Sequence, residues 1–338
     1  MTPHLNRRQC ARTLLAAALP LALPAHSRQS GAGSAADSTA WPGKPVRIIT
    51  PFPVGGGPDG TARLLAGHLA RTWQQPVVVE NRPGGNGFIA IEAFKRGARD
   101  GTDIIQLDNV HLSAYPHLFK KLPYDPQQDF AVVLPLFRAF FFVCVATHSP
   151  YRSMADLIAD ARTRPGALNY GSWSVGNPVH LASALLAALT GTHMEHVVYR
   201  ETGQLYASVA NGELAFALGS SATAGPLVRA GRLRFLAVLA TQRLAGFADV
   251  PTVAESGGPP DAVVTGINSF AVARDAPAAV VEKIRRDTSA ALHSPQVRAK
   301  FATFGYENHF PAPQEFADAL AEESWVLGAL IRRIGVHL

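Results

Sequence analysis

Residues Val46 to Asp59 (VRIITPFPVGGGPD) constrain this chain more than any other stretch. A β-branched apolar run breaks into Pro51, Phe52, Pro53, Val54 and three consecutive glycines, and a helical pattern (TARLLAGHLARTW) follows. A strand feeding a glycine-rich turn and then a helix start builds an anion site. Glycine lets the backbone come close to a ligand, and the first-turn N–H groups of the helix have no partner within it.

The middle of the chain repeats this logic. Ala167–Tyr170 reads as a strand, Gly171 to Pro178 (GSWSVGNP) as a polar turn, and Val179 onward as a helix. Two such units imply two lobes facing one cleft, because ligands of open α/β sheets bind beyond the carboxyl ends of strands. Elsewhere, short apolar runs at Val77–Glu80, Ile104–Leu107, Ala131–Phe137 and Phe140–Ala146 read as strands. Helical periodicity marks Thr61–Thr72, Gly87–Arg96, Ser153–Arg162, Val179–Leu189, Gln204–Asn211, Ala278–Leu292 and Pro313–Arg333, with Pro295 restarting a short helix over Gln296–Phe304. Alternation of this kind predicts an α/β fold with largely parallel sheets.

The N-terminus belongs to another category. Arg7, Arg8 and Arg12 precede an apolar run, Leu14 to Leu23, that is too short to anchor in a bilayer, and Ala25 offers a small residue for cleavage. Residues 1–25 therefore read as an export signal. The Arg7-Arg8 pair points to the twin-arginine route, whereas Cys10 and Ala11 replace the bulky apolar residues usual there, so Sec export stays open. Residues 26–41, rich in Ser, Gly and Ala, read as a flexible spacer. Loss of the three arginines lowers the formal net charge from +6 to +3. No basic run interleaved with aromatics occurs, which argues against nucleic acid as a partner.

Only Cys10 and Cys144 occur, and Cys10 leaves with the signal. Cys144, within FFFVCVA, is expected to be a buried core filler, with no disulfide and no cysteine-based metal site. His193 and His196 lack a Cys or acidic partner at metal spacing, so neither a metal nor another cofactor is expected. GGGPDG lacks the Gly-Lys-Ser/Thr ending of a phosphate loop. Ser172-Trp173-Ser174-Val175-Gly176 resembles a nucleophile elbow around Ser174, but Ser172 suits the sharp turn poorly. His309 and His337, after Asp261, are the triad candidates near the C-terminus. An enzyme is not expected, and a serine hydrolase is the distant alternative.

Seven motifs in order carry a resemblance: PFPVGGGPD, VVVENRPGGNG, KKLPYDP, NYGSWSVGNPVHL, HVVY, AGRLRFLAV and DVPTVAESG. Over about 290 residues the chain resembles the Bug family, the periplasmic substrate-binding proteins of tripartite tricarboxylate transporters. The resemblance implies a two-lobed Venus-flytrap fold of the type II periplasmic-binding-protein kind with two hinge crossings. Lobe 1 would hold residues 42–140 plus 264–338, and lobe 2 residues 141–263. It implies a monomeric periplasmic receptor that captures a small carboxylated solute and delivers it to membrane permease subunits. Presentation of the ligand to a membrane sensor kinase is the alternative role.

The family holds its ligand with the first and middle turns, which carries over to Phe52, Val54, Gly56, Gly57, Asp59, Ser172, Gly176 and Asn177, with Tyr199 on the pocket wall. The Asn81–Gly87 loop is expected to shape a turn near the cleft. Several positions depart from the family pattern. Pro58, which lacks an N–H, stands where Thr or Ser is common; Asn177 replaces Thr or Ser; Glu201 replaces Gly; Gly219-Ser220 replaces Asp; and Ile267 replaces Trp. A Glu201 carboxylate about 5 Å from a ligand carboxylate would oppose it by about 3 kcal/mol at an effective dielectric of about 20. Asp108 and His111, after the Ile104–Leu107 strand, lie near the expected cleft and push the same way. An amino-acid-like ligand of mixed charge is one expectation. The other is that Glu201 faces solvent and pairs with Arg200.

Overall fold

The computed structural model describes residues 41–307 and 311–334. The expected signal, most of the spacer, His309 and His337 lie outside the described residues. Among the described residues eleven strands form two sheets: β1 (Val46–Thr50), β2 (Val77–Asn81), β3 (Asp103–Asp108), β4 (Phe130–Phe140), β5 (Phe142–Ala146), β6 (Asn169–Ser172), β7 (Glu195–Val198), β8 (Phe216–Gly219), β9 (Leu233–Val238), β10 (Thr265–Ala273) and β11 (Tyr306–Glu307). The helices are α1 (Gly57–Trp73), α2 (Phe88–Lys95), α3 (Asn109–Ser113), α4 (Tyr115–Leu118), α5 (Pro126–Asp129), α6 (Met154–Thr163), α7 (Pro178–Thr190), α8 (Thr202–Asn211), α9 (Ser221–Arg229), α10 (Ala278–Leu292), α11 (Pro295–Phe304) and α12 (Pro313–Ile334).

The first sheet runs β11-β4-β10-β3-β1-β2 and the second β7-β6-β8-β5-β9. The chain leaves the first sheet between Phe140 and Phe142 and returns to it at Thr265, so it passes between the sheets twice. Period-two alternation explains how each sheet buries both faces. Ile48 and Ile104 pack toward α1, α10 and α11, whereas their neighbours Ile49 and Ile105 pack toward α2. The second sheet is covered by α6 and α7 on one face and by α8 and α9 on the other. Cys144 is a buried free thiol in the latter core, as its apolar surroundings predict.

The sheets are mixed rather than largely parallel. Four strand pairings are parallel and five antiparallel. The reason lies in the crossings: β4 leads out of the first sheet, β5 enters the second and β10 returns. β10 and β5 run against the parallel strands that alternate with helices, whereas β4, antiparallel to β10, runs with β1, β2 and β3.

Candidate functional site

The carboxyl ends of β1, β3, β6 and β8 converge. After β1 the chain turns through Gly55, whose φ of +83° suits glycine, and Gly56 caps α1. Asp59 organises this turn from within. Its buried carboxylate accepts hydrogen bonds from the Gly55 N–H (2.9 Å), Arg63 Nε (3.1 Å) and Asn81 Nδ2 (2.7 Å). Burial opposes ionisation, but these partners together hold its pKa below the ordinary carboxylate range. Asn81 also donates to the Phe52 carbonyl (3.0 Å), which ties the second strand to the turn. Phe52 is half-buried, and Val54 is 71% exposed at the turn's outer edge. Pro58 donates no N–H, yet its carbonyl accepts from Gln106 Nε2 (3.0 Å), pinning the helix start to β3.

The middle turn is wired differently. Ser172 Oγ lies 2.7 Å from His196 Nε2 and donates to the Ser174 carbonyl (2.9 Å). Asn177 caps α7 by accepting the His180 N–H (3.0 Å), while its amide donates to Ser172 Oγ (3.0 Å) and the Ser174 carbonyl. Both side chains are buried and engaged within their own turn. Gly176, at φ +85°, donates its N–H to His180 Nδ1 (3.1 Å). The His180 and His196 rings lie 4.2 Å apart, tilted by 34°; burial, and for His180 the neighbouring ring, lowers the pKa of both, that of His180 to about 4. Among the described residues the histidine ring that touches a serine of this turn touches Ser172, not Ser174, the residue at the nucleophile position of the elbow.

Elements of the two sheets meet across these turns. A Cβ on Gly57 would overlap the Tyr306 hydroxyl and sit 3.1 Å from Ala222 of α9, and a Cβ on Gly176 would strike Leu118 of α4. The Ser220 hydroxyl, which caps α9, hydrogen-bonds Tyr306, and Ser221 donates to the Phe304 carbonyl. A shared apolar cluster joins Leu181 of α7 to Tyr115 and Leu118 of α4 and to Leu327 and Ile331 of α12.

At the floor, β3 ends in Asp108. Its Oδ1 is buried and unpartnered among the described residues, as are Gln106 Oε1 and Asn268 Nδ2. Burial first, then the nearby Glu323 carboxylate, pushes the Asp108 pKa up to about 7. Tyr199 is half-buried on the second sheet's side, its N–H bonded to the Ser172 carbonyl (2.9 Å), whereas Glu201 is exposed at the start of α8. Gly219 stands where a side chain is excluded: a Cβ there would lie 2.8 Å from the Tyr206 ring. The Asn81–Gly87 loop turns through Gly84, Gly85 and Gly87 at positive φ, and a Cβ on Gly87 would strike His111.

Sequence reasoning missed Gln106, Asn268 and Tyr306. Gln106 left a readable signal, a polar residue inside the apolar strand IIQL; Tyr306 left none, since a two-residue strand has no periodicity. A separate cavity of about 700 Å³ lies behind the first sheet, lined by Val132, Leu134, Arg274, Arg285 and Phe316, away from both turns. Among the described residues no three His, Cys, Asp or Glu side chains gather to hold a metal.

The TctC pattern, described as the tripartite tricarboxylate transporter family receptor, matches residues 61–336. The chain belongs to this family. A UPF0065 protein from a Pseudomonas species is 30% identical over 286 residues, 84% of each chain. An R. palustris protein solved with adipate superposes at a TM-score of 0.82 with 28% identity, covering 88% of this chain and 99% of that one. MatC from Rhodopseudomonas palustris, solved with bound malate, gives 0.79 with 26% identity, covering 86% and 100%. The chain is thus a TctC/Bug-type substrate-binding receptor with a two-sheet Venus-flytrap fold.

Proposed function

We propose that this TctC receptor captures a small carboxylated solute between its two sheets and hands it to membrane permease subunits. The observation that carries the reading is the convergence of the α1 start, the middle turn and the Ser220 cap on one closed face lined by Tyr306 and Asp108. Gly57 offers its backbone N–H at the start of a 17-residue helix, where unpaired first-turn donors and the helix dipole favour an anion, and Gly56, whose N–H makes a long bond to the Pro53 carbonyl (3.4 Å), stands beside it as the cap. Gly176, Ser172 and Asn177 shape the opposing wall, with Phe52, Val54, Tyr199 and Glu201 at its margins. Asp59 serves the site by fixing the turn. Family members solved with adipate and malate support a carboxylate as ligand.

Burying a carboxylate costs several kcal/mol, which charge-assisted hydrogen bonds of about 1.5–3 kcal/mol each offset. A net of about 8 kcal/mol gives a micromolar dissociation constant, suited to a protein that must release its cargo. The lobes would span residues 42–140 plus 264–338, and 141–263, in a monomer that works in the periplasm after export. The role is binding, without catalysis. Mass spectrometry of small molecules released on denaturing freshly purified protein tests the reading. A near-stoichiometric carboxylate is expected; protein that carries none and binds none from a carboxylate panel would refute it.

A further inference from the structure

Asp108, Gln106 and Asn268 share one face at the end of the first sheet. Gln106 and Asp108 are two residues apart on β3, and Asn268 is the register partner of Asp108 on β10. The Gln106 amide has a determined orientation. Its Nε2 must face the Pro58 carbonyl (3.0 Å) and Asn268 Oδ1 (2.6 Å), so Oε1 is the atom left over. The same bond leaves Asn268 Nδ2 without an acceptor. Asp108 receives the Asn109 and Val110 amides, which leaves Oδ1 buried and unpartnered. Buried polar atoms are nearly always paired, so three on one strand face call for a group that supplies the missing partners.

The charges around Asp108 indicate which group. From α12 comes Glu323, a second carboxyl that donates nothing to Asp108 when ionised and is itself held by Asn109 and Ser113. From α4 and β11 come the Tyr115 and Tyr306 phenols, both held neutral by burial. His111 keeps its Nδ1 against the Asp108 main chain, and burial lowers its pKa to about 4, so it brings no positive charge. Arg138 on β4 points its guanidinium toward Glu307 (3.9 Å). A buried carboxylate oxygen and an amide oxygen thus share a face where, among the described residues, neither has a cationic hydrogen-bond partner, beside the α1 start that favours an anion.

Resting on the receptor reading above, we propose that Asp108 and Gln106 form a subsite for the ammonium group of an amino-acid-like carboxylate, with Asn268 Oδ1 fixing the Gln106 amide (2.6 Å). The ligand's carboxylate lies toward the α1 N–H groups, and its ammonium donates to Asp108 Oδ1 and Gln106 Oε1. The exposed Glu201 is not needed for this preference.

Calorimetry with matched pairs tests the subsite: aspartate against succinate, glutamate against glutarate, and 2-aminoadipate against adipate. At pH 8 the aminated member of the best-fitting pair is expected to bind at least tenfold tighter. Asp108→Asn should weaken that member at least tenfold relative to its unaminated partner. Between pH 5.5 and 8.5 the wild-type affinity for the aminated member should rise as Asp108 and the neighbouring Glu323, both pushed up to about 7 mainly by burial, ionise, and the rise should be smaller in Asp108→Asn. The wild-type comparison holds even if the variant folds poorly. Equal or tighter binding of the unaminated acids, or affinity that falls with rising pH, would overturn the subsite while leaving the receptor reading intact. Binding of no acid from either series would overturn both.

Discussion

Replacing Asp59 by Ala separates a scaffold role from direct ligand contact. The carboxylate is 2% exposed and accepts from Gly55, Arg63 and Asn81. Its loss does not strand all three donors equally. The Arg63 side chain is 48% exposed and rehydrates, as does the exposed Gly55 N–H. Asn81 keeps its bond to the Phe52 carbonyl. Full loss of a buried ion pair, about 3–5 kcal/mol, is therefore too large an expectation, and about 2–3 kcal/mol follows from losing charge-assisted bonds with partial rehydration. With an m-value of about 2–3 kcal/mol per molar, the urea midpoint should fall by about 1 M. Arg63→Ala, at an exposed partner, should cost only about 1 kcal/mol. Affinity should weaken in Asp59→Ala in step with the loosened turn. An unchanged midpoint with binding abolished would refute the reasoning, because it would make Asp59 a ligand contact rather than the clamp of the turn.

Gly57→Ala should weaken ligand binding about five- to a hundredfold, the equivalent of about 1–3 kcal/mol of overpacking against Tyr306 and Ala222, with partial recovery in Gly57→Ala/Tyr306→Phe; titration calorimetry reads both. His180 titrates near 4 in the fold against 6.5 in the unfolded chain, so its contribution to stability is complete above about pH 6.5 and is lost as pH falls toward 4. That loss amounts to about 3 kcal/mol, and urea melts across this range should show a shallower acid slope in His180→Gln. Burial raises the Cys144 thiol pKa, so the native protein should resist iodoacetamide, whereas protein in denaturant should label fully by mass spectrometry.

Much of the architecture is legible in local patterns, because the signals are local. The β-branched run over Val46–Thr50 coincides with β1, and the Ala278–Leu292 periodicity coincides with α10. The glycine turns are readable because positive φ selects glycine at Gly55 and Gly176. Strand direction is not local. The sequence of β10 carries nothing that distinguishes a strand returning from the other sheet, which is why parallel pairing was over-expected. The site shows the same division. Asp59 reads as a site residue from its place at a helix start, but its orientation into the turn depends on Asn81, brought by β2. Ser172 and Asn177 read as donors from residue type, yet His196, His180 and Ser174 engage them. Tyr306 reaches the α1 start only through the antiparallel pairing of β11 with β4, which no window of sequence contains.

The central claim is that a carboxylate is held where the two sheets meet, at the α1 start. A crystal structure of the ligand-saturated protein tests it most directly. Ligand oxygen is expected within about 3 Å of the first N–H groups of α1, in the face bounded by Tyr306, Gly176 and Asp108. Ligand density in the cavity between Val132, Arg274, Arg285 and Phe316 instead, with the two turns untouched, would contradict it.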